Sequence, residues 1–596
     1  MFLKLFAAAA LIATFPQGLW YYHVSYPTGD PGTLTVWRSG ARWNARFGNT
    51  TASAPARGGE ITLRFRDGDA FRGATWDGAL HGFWVRRPVV QDPAFPTGEA
   101  LGHAGRLTMT PDGPHRWRAQ VQPLEDTFTL YLNLFTDSDG TFKAAFRNPE
   151  LHSHGSAMQF NVVQTGDVLQ FANPQNTSQP PDPPLATIFH SPERIHVVWN
   201  DLKKAIDLVP APPQAAAAFI PRIEATPYAY RPPANIEDGW PIARAGSAGM
   251  NEAALAAMVQ RIIDRDPAGA RAWLIHSVSI AYRGKLVLDE YFYGHNALQW
   301  HDTRSASKTF SSVILGALMK EGSRLSPQSK VYDVMAARGP FLNPDPRKAN
   351  ITLGHLLTHT AGYACDDNAE NSPGGEDAME ADRSNPDWTK RTLDLPLQYD
   401  PGSHYAYCSM NINLAGAMLS QATGQWLPLL FDRTVAQPLD FGPYAWNLQG
   451  TGEGYLGGGV FVRPRDFLKI GQTYLDGGVW NGRRIVTSDW VKDSLSAHAH
   501  ISPATTGRSG DALIMNYYDV DEGWAWHMID VKSGDQTYHA FHANGNGGQL
   551  LIILPELDLA VMFTAGNYNQ GLWNRERDDI VGGMIIPAIA HSAYRR

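Results

Sequence analysis

The sequence predicts a multidomain protein: an N-terminal all-β sandwich or barrel, then an α/β domain in which helices pack on an antiparallel sheet. Three observations carry that division. Apolar and polar residues alternate in short runs up to about position 209, a proline-rich stretch follows, and helical periodicity begins only beyond it. At 596 residues the chain is also too long for one ordinary domain.

The elements follow in chain order. Lys4 precedes an apolar run over 5–15, then Pro16 and Gly18, which fits a signal peptide over 1–18 and is too short to span a bilayer. An exported protein, periplasmic or secreted, is expected, and no later stretch reads as an integral membrane span. Residues 19–209 read as strands. Ile61, Leu63 and Phe65 alternate with Thr62, Arg64 and Arg66 ahead of an Asp67-Gly68 turn. Phe128, Leu130, Leu132 and Leu134 alternate with Thr129, Tyr131 and Asn133 ahead of Asp139-Gly140. Trp37, Trp43, Trp76, Trp84 and Trp117 supply bulk for a core. Residues 210–235 read as a linker stiffened by Pro212, Pro213, Pro221, Pro227, Pro232 and Pro233. In 236–596, Asn251 is placed to cap a helix with Leu255, Met258, Val259 and Ile262 on one face. Apolar runs over 550–554 and 559–563, around Pro555-Glu556, predict a closing hairpin.

Apolar residues make up 43% and charged residues 18%, a composition able to bury large cores. Lysine plus arginine at 50 against aspartate plus glutamate at 58 gives a net charge of −8, which offers no basic footprint for nucleic acid.

Chemistry enters at Ser305-Ala306-Ser307-Lys308, which opens an apolar-periodic segment ended by Gly322. Positions i and i+3 share a helix face, so the hydroxyl and the amine can meet. A serine hydroxyl needs a neighbouring base, and a lysine whose pKa is lowered by burial can serve. The tetrapeptide alone is short enough to recur by chance, so the other segments decide. Residues 280–287 read as a hairpin ahead of the serine. Then come Ile351-Thr352-Leu353-Gly354-His355-Leu356-Leu357-Thr358-His359-Thr360-Ala361-Gly362, Pro401-Gly402-Ser403 through Tyr407-Cys408-Ser409, and Ala543-Asn544-Gly545-Asn546-Gly547-Gly548-Gln549.

In this order these segments resemble the serine β-lactamase-like hydrolases: class C β-lactamases, D-alanyl-D-alanine carboxypeptidases, related esterases and nylon-oligomer hydrolases. The resemblance covers about the last 360 residues and implies a β-lactamase-like domain over 236–596. It implies Ser305 as the acylated nucleophile, Lys308 as its proton partner, and Tyr407 as the proton-relaying phenol of a Y-x-N motif. The backbone N–H groups of Ser305 and Asn546 would form the oxyanion hole. Ser409 stands where that motif has asparagine. Ala543-Asn544-Gly545 stands where K-T-G or H-x-G is usual, and His542 is one residue out of register, which on a strand means the opposite face. Ser409, Asn544, Gly545 and His542 are therefore the candidate substrate-binding residues. The missing cation argues against substrates bearing the carboxylate of a β-lactam or a D-Ala-D-Ala terminus.

The expectation is a serine hydrolase cleaving an ester or amide bond of a small molecule through an acyl-enzyme on Ser305, with no metal or organic cofactor. A true β-lactamase or D-Ala-D-Ala carboxypeptidase is the alternative among enzymes. A non-catalytic ligand-binding or cell-wall-associated protein of the same fold is the alternative outside them. Cys365 and Cys408, the two cysteines, each lie in a segment tied to the site and are a candidate disulfide; two free buried thiols are the other reading. His355 and His359 have a zinc-compatible spacing but lack the glutamate of H-E-x-x-H, so a structural role is expected. Residues 545–548 lack the Lys-Ser/Thr of a phosphate loop. Asp366, Asp367 and Glu370 read as a solvated loop rather than a metal site. His404 and Tyr405 are placed to line a pocket or to face the core.

Overall fold

The computed structural model describes residues 17–589 apart from 29–30, 57, 87–101, 123, 149–157, 166–167, 173–185, 192, 200–203, 224–226, 270–271, 370, 383, 508–519 and 569–570. The expected leader and Glu370 lie outside the described residues, save Gln17 and Gly18, and Gly18 opens the first strand. Among the described residues no helix is long and apolar enough to cross a membrane.

Gly18–Thr28, Leu124–Thr136, Phe142–Arg147, Met158–Thr165, Val168–Ala172, Ala186–Ser191, Arg194–Trp199 and Lys204–Pro210 form a closed eight-stranded antiparallel barrel. The last strand returns to the first through Trp20 opposite Pro210. Trp20, Leu132, Phe146, Phe171, Ile188, Val197 and Leu208 form one buried cluster, as suits a barrel narrow enough to be filled by its own side chains.

The expected single β domain over 19–209 needs correction. Residues between the first two barrel strands form other sheets. Five strands, in the order Thr50–Pro55, Arg42–Phe47, Gly32–Ser39, Arg116–Val121 and Thr110–Pro111, make one of them. Glu60–Arg64, Ala70–Trp76, Ala79–Arg86 and Gly102–Leu107 continue directly into Ala445–Leu448, Val460–Val462 and His301–Asp302 of the later half. Ala445 pairs with Gly105, Trp446 with Ala104 and Leu448 with Gly102. Phe83 and Ala104 share a core cluster with Phe310, Phe431 and Trp446. Alternation reports which face of a strand is buried, not which strand lies beside it.

The 210–235 segment is likewise bound to its surroundings rather than free. Arg222 and Arg231 pair with buried Glu290, and the Tyr228 hydroxyl donates to the same carboxylate at 2.8 Å.

The second half is built on an eight-stranded antiparallel sheet. Its order is Lys285–Tyr291, Ile275–Tyr282, Leu559–Ala565, Gln549–Leu554, Gln536–Gly545, His527–Ser533, Val520–Glu522 and Ala499–Ile501. The expected closing hairpin is the pair Gln549–Leu554 and Leu559–Ala565. Asn251 caps Glu252–Ile263 as expected, its side chain accepting from the Ala253 and Ala254 N–H groups. That helix and the segment Glu576–Ile585 pack on one face of the sheet. The other face is covered by Phe310–Lys320 (α1), Ser409–Thr423 (α2) and Pro464–Leu475 (α3). Phe310 through Leu318 are all buried, so α1 is apolar on every side and runs through the core.

Candidate active site

Ser305 and Lys308 lie in a tight 3₁₀ turn, Arg304–Thr309, that leads into α1. Residues i and i+3 eclipse in such a turn, which sets the two side chains side by side. Lys308 Nζ is 2.9 Å from Ser305 Oγ and 2.9 Å from Ser409 Oγ, and also donates to the Gly457 carbonyl. The Lys308 side chain is buried, and burial pulls its pKa below the ordinary lysine value, while Glu376 and then Asp367 push it back up.

The Tyr407 side chain interacts with that of Ser305, and its ring lies 5.0 Å from Lys308 Nζ. Burial raises its pKa, so the phenol carries its proton at neutral pH. The His359 ring packs on that of Tyr407 at 4.8 Å, and His359 Nδ1 faces the Cys408 N–H at 3.2 Å. Ser409, standing where asparagine was expected, opens α2 and closes the ring of polar groups around Lys308.

The end of the Gln536–Gly545 strand lies against the turn that carries Ser305. A Cβ at Gly545 would sit 2.4 Å from the Thr303 carbonyl oxygen and 3.0 Å from the Ala306 nitrogen, so only glycine permits this approach. Gly545 thus belongs to the site through its backbone. His542 does not. It is fully buried, pairs across the sheet with His527, and its ring is 5.3 Å from that of His527. Its strand partner Ile552 lies in the cluster on the far face, whereas Ala543 lies in the cluster beneath α1. The candidate assignment of His542 to substrate binding is therefore corrected: a step of one residue reverses the face. Asn544 is buried opposite Leu550 and by alternation shares the His542 face.

Asp367, expected in a solvated loop, is part of the site. Its carboxylate accepts from the Ser409 N–H at 2.6 Å and from the Glu376 N–H at 2.9 Å. Burial and then the charge of Glu376 push its pKa up to about 6, against the pull of Lys308. The Tyr455 hydroxyl donates to Glu376. No spacing rule links position 367 to 308; the signal was adjacency to Cys365. Cys365 and Cys408 form a disulfide with Cα atoms 5.6 Å apart, which fastens the Asp367 loop to the segment carrying Tyr407 and Ser409.

Arg304, adjacent to Ser305, is paired with Asp302 at 2.8 Å. Asp367 and Glu376 act on Lys308, and Ala543 stands where the resemblance would have a motif lysine. His355 closes a capping box with Thr352 and His359 serves Cys408, so each has the structural role expected. His404 and Tyr405 line a separate cavity of about 410 Å³, with His355, His498, His500 and Trp524, which includes neither Ser305 nor Lys308.

Residues 260–580 match the family model described as Beta-lactamase. The chain belongs to the beta-lactamase family. A 6-aminohexanoate-dimer hydrolase of Paenarthrobacter ureafaciens is 26% identical over 237 residues, covering 36% of this chain. The match spans 56% of that relative's length. Among solved structures, a family VIII carboxylesterase aligns at 16% identity over 53% of this chain and 92% of its own, with a TM-score of 0.42. A penicillin-binding protein homolog from Caulobacter crescentus aligns at 15% identity over 53% and 91%, with a TM-score of 0.41.

Proposed function

We propose that this protein is an exported serine hydrolase that cleaves an ester or amide bond through an acyl-enzyme on Ser305. The observation that carries the reading is the buried Lys308 amine 2.9 Å from Ser305 Oγ, with the Tyr407 ring 5.0 Å from the same amine. Burial favours the neutral amine, which is the form able to take the serine proton. Ser305 Oγ then attacks the substrate carbonyl, and the N–H groups of Ser305 and Asn546 receive the developing oxyanion. Tyr407, a neutral phenol, passes a proton to the departing alcohol or amine, and the proton on Lys308 restores it. Water attacks the acyl-enzyme by the same route in reverse, releasing the acid and free Ser305.

The substrate side follows from charge. Asp367 and Glu376 flank Lys308, and Ala543 supplies no cation, so a substrate carboxylate would be desolvated beside like charge. Uncharged or amino-bearing esters and amides fit better. The relative named as a 6-aminohexanoate-dimer hydrolase supports cleavage of an amide; a dimer of an amino acid itself bears a carboxylate, so the charge preference rests on the residues of this site alone. The Cys365–Cys408 disulfide supports an oxidising compartment.

The test is labelling by a fluorophosphonate together with kcat/KM over a panel of small esters and amides, matched with and without a carboxylate. Ser305→Ala should lose the label and about 10⁴-fold or more of its turnover, because the covalent route disappears. Substantial hydrolysis by the purified, folded variant would overturn the reading.

A further inference from the structure

Behind the nucleophile turn, three imidazoles from separate stretches of chain converge. His276 lies on the inner strand Ile275–Tyr282, His295 on the loop that follows Lys285–Tyr291, and His301 on His301–Asp302, four residues before Ser305. One ring nitrogen from each lies within 4.8 Å of the other two. Ring centroids are 4.2 Å apart for His276 and His295, 5.1 Å for His276 and His301, and 5.5 Å for His295 and His301.

We propose that His276, His295 and His301 form a binding site for one divalent transition-metal ion of the imidazole-preferring kind, zinc first, with a fourth position for water or an anion. Three neutral histidines with one open position are an established zinc donor set. Nothing in the sequence spacing announces it, because the three residues are 19 and 6 positions apart and meet only through the fold.

Two further observations support the site. His301 Nδ1 faces the Asp302 carbonyl oxygen at 2.8 Å, which fixes the tautomer and leaves the Nε2 lone pair turned toward His276 Nδ1, 2.8 Å away. A carbonyl holding the outer N–H of a metal-binding histidine is the usual supporting contact. His276, 1% exposed, leaves Nε2 buried with no hydrogen-bond partner among the described residues, so hydrogen bonding within the trio does not satisfy the cluster.

The charge that faces the trio is Arg147, from the barrel strand Phe142–Arg147. Its guanidinium stacks 4.0 Å over the Tyr293 ring, whose edge meets His276 at 5.9 Å, and it lowers the pKa of both His276 and His295. One Arg147 nitrogen, Nη2, is buried with no hydrogen-bond partner among the described residues. A hydroxide or other anion in the open position would accept from that donor and reduce the positive charge that the ion brings beside it. Such an ion would join the barrel side, the central sheet and the segment that delivers Ser305.

The experiment uses the full chain, stripped with a chelator and titrated with Zn²⁺ alone, by calorimetry and by thermal unfolding. Co²⁺ in its place reports coordination by absorption. His295→Ala is the chosen variant because His295 sits on a loop and is only half-buried, and Ser305→Ala serves as a control that leaves the trio intact. The expected result is one Zn²⁺ per chain, a rise in Tm, a four-coordinate Co²⁺ spectrum, and at least tenfold weaker binding by His295→Ala but not by Ser305→Ala. Absence of binding to the parent, or equal binding by parent and His295→Ala, would overturn the proposal whatever the outcome for hydrolysis.

Discussion

Removal of residues 1–235 should unfold or inactivate what remains, although the sequence marks 210–235 as a linker. The magnitude comes from two buried carboxylates in the later half whose cationic partners lie in the earlier one. Glu290, with a side chain 1% exposed, is paired with Arg222 and Arg231. Asp432, also 1% exposed, is paired with Arg106 at 2.7 Å. Stripping one partner from a buried ion pair costs about 3–5 kcal/mol, so losing both sets costs about 6–10 kcal/mol. A whole domain is stable by only about 5–15 kcal/mol. The cut also exposes the edge of Ala445–Leu448 and the core face that holds Phe83 and Ala104. The assay is circular dichroism and small-ester kinetics on a 236–596 fragment, beside Arg106→Met in the full chain, which isolates one pair and should cost about 3–5 kcal/mol. A fragment with native ellipticity and the full chain's kcat/KM would refute the reasoning.

Lys308→Ala and Tyr407→Phe should each lower kcat by orders of magnitude, and the double variant should be little worse than the poorer single one, because both act on the proton of one hydroxyl; additive losses would assign one of them a purely structural role. Asp367→Asn should shift the acid limb of kcat/KM to lower pH, since one of the two anions that raise the Lys308 pKa is gone while Glu376 remains. The same carboxyl titrates at about 6 in the fold against an ordinary 3.8, so its contribution to stability is present below pH 3.8 and lost as pH rises through 6. The Asn variant should lack that fall in stability, as denaturant midpoints across pH will show. Replacing Cys365 and Cys408 together by serine opens a crosslink of sequence separation 43, worth about 4 kcal/mol of loop entropy; it should lower the denaturation midpoint and also depress kcat, because the bond fastens Asp367 beside Tyr407 and Ser409.

Much of the site could be read from the chain because its chemistry is local. Ser305 and Lys308 are three residues apart, and a tight turn brings any such pair together whatever surrounds it. Strand alternation, the Asn251 cap and the face reversal between His542 and Ala543 are equally short-range, depending on the period of one element. Tertiary structure alone decided what lies across from those elements. It joined Gly102–Leu107 to Ala445–Leu448, brought Asp367 and Glu376 around Lys308, and gathered His276, His295 and His301. Each of these depends on strand order and register between segments far apart in the chain. Periodicity records how a residue faces its own element and carries no term for which distant element will meet it.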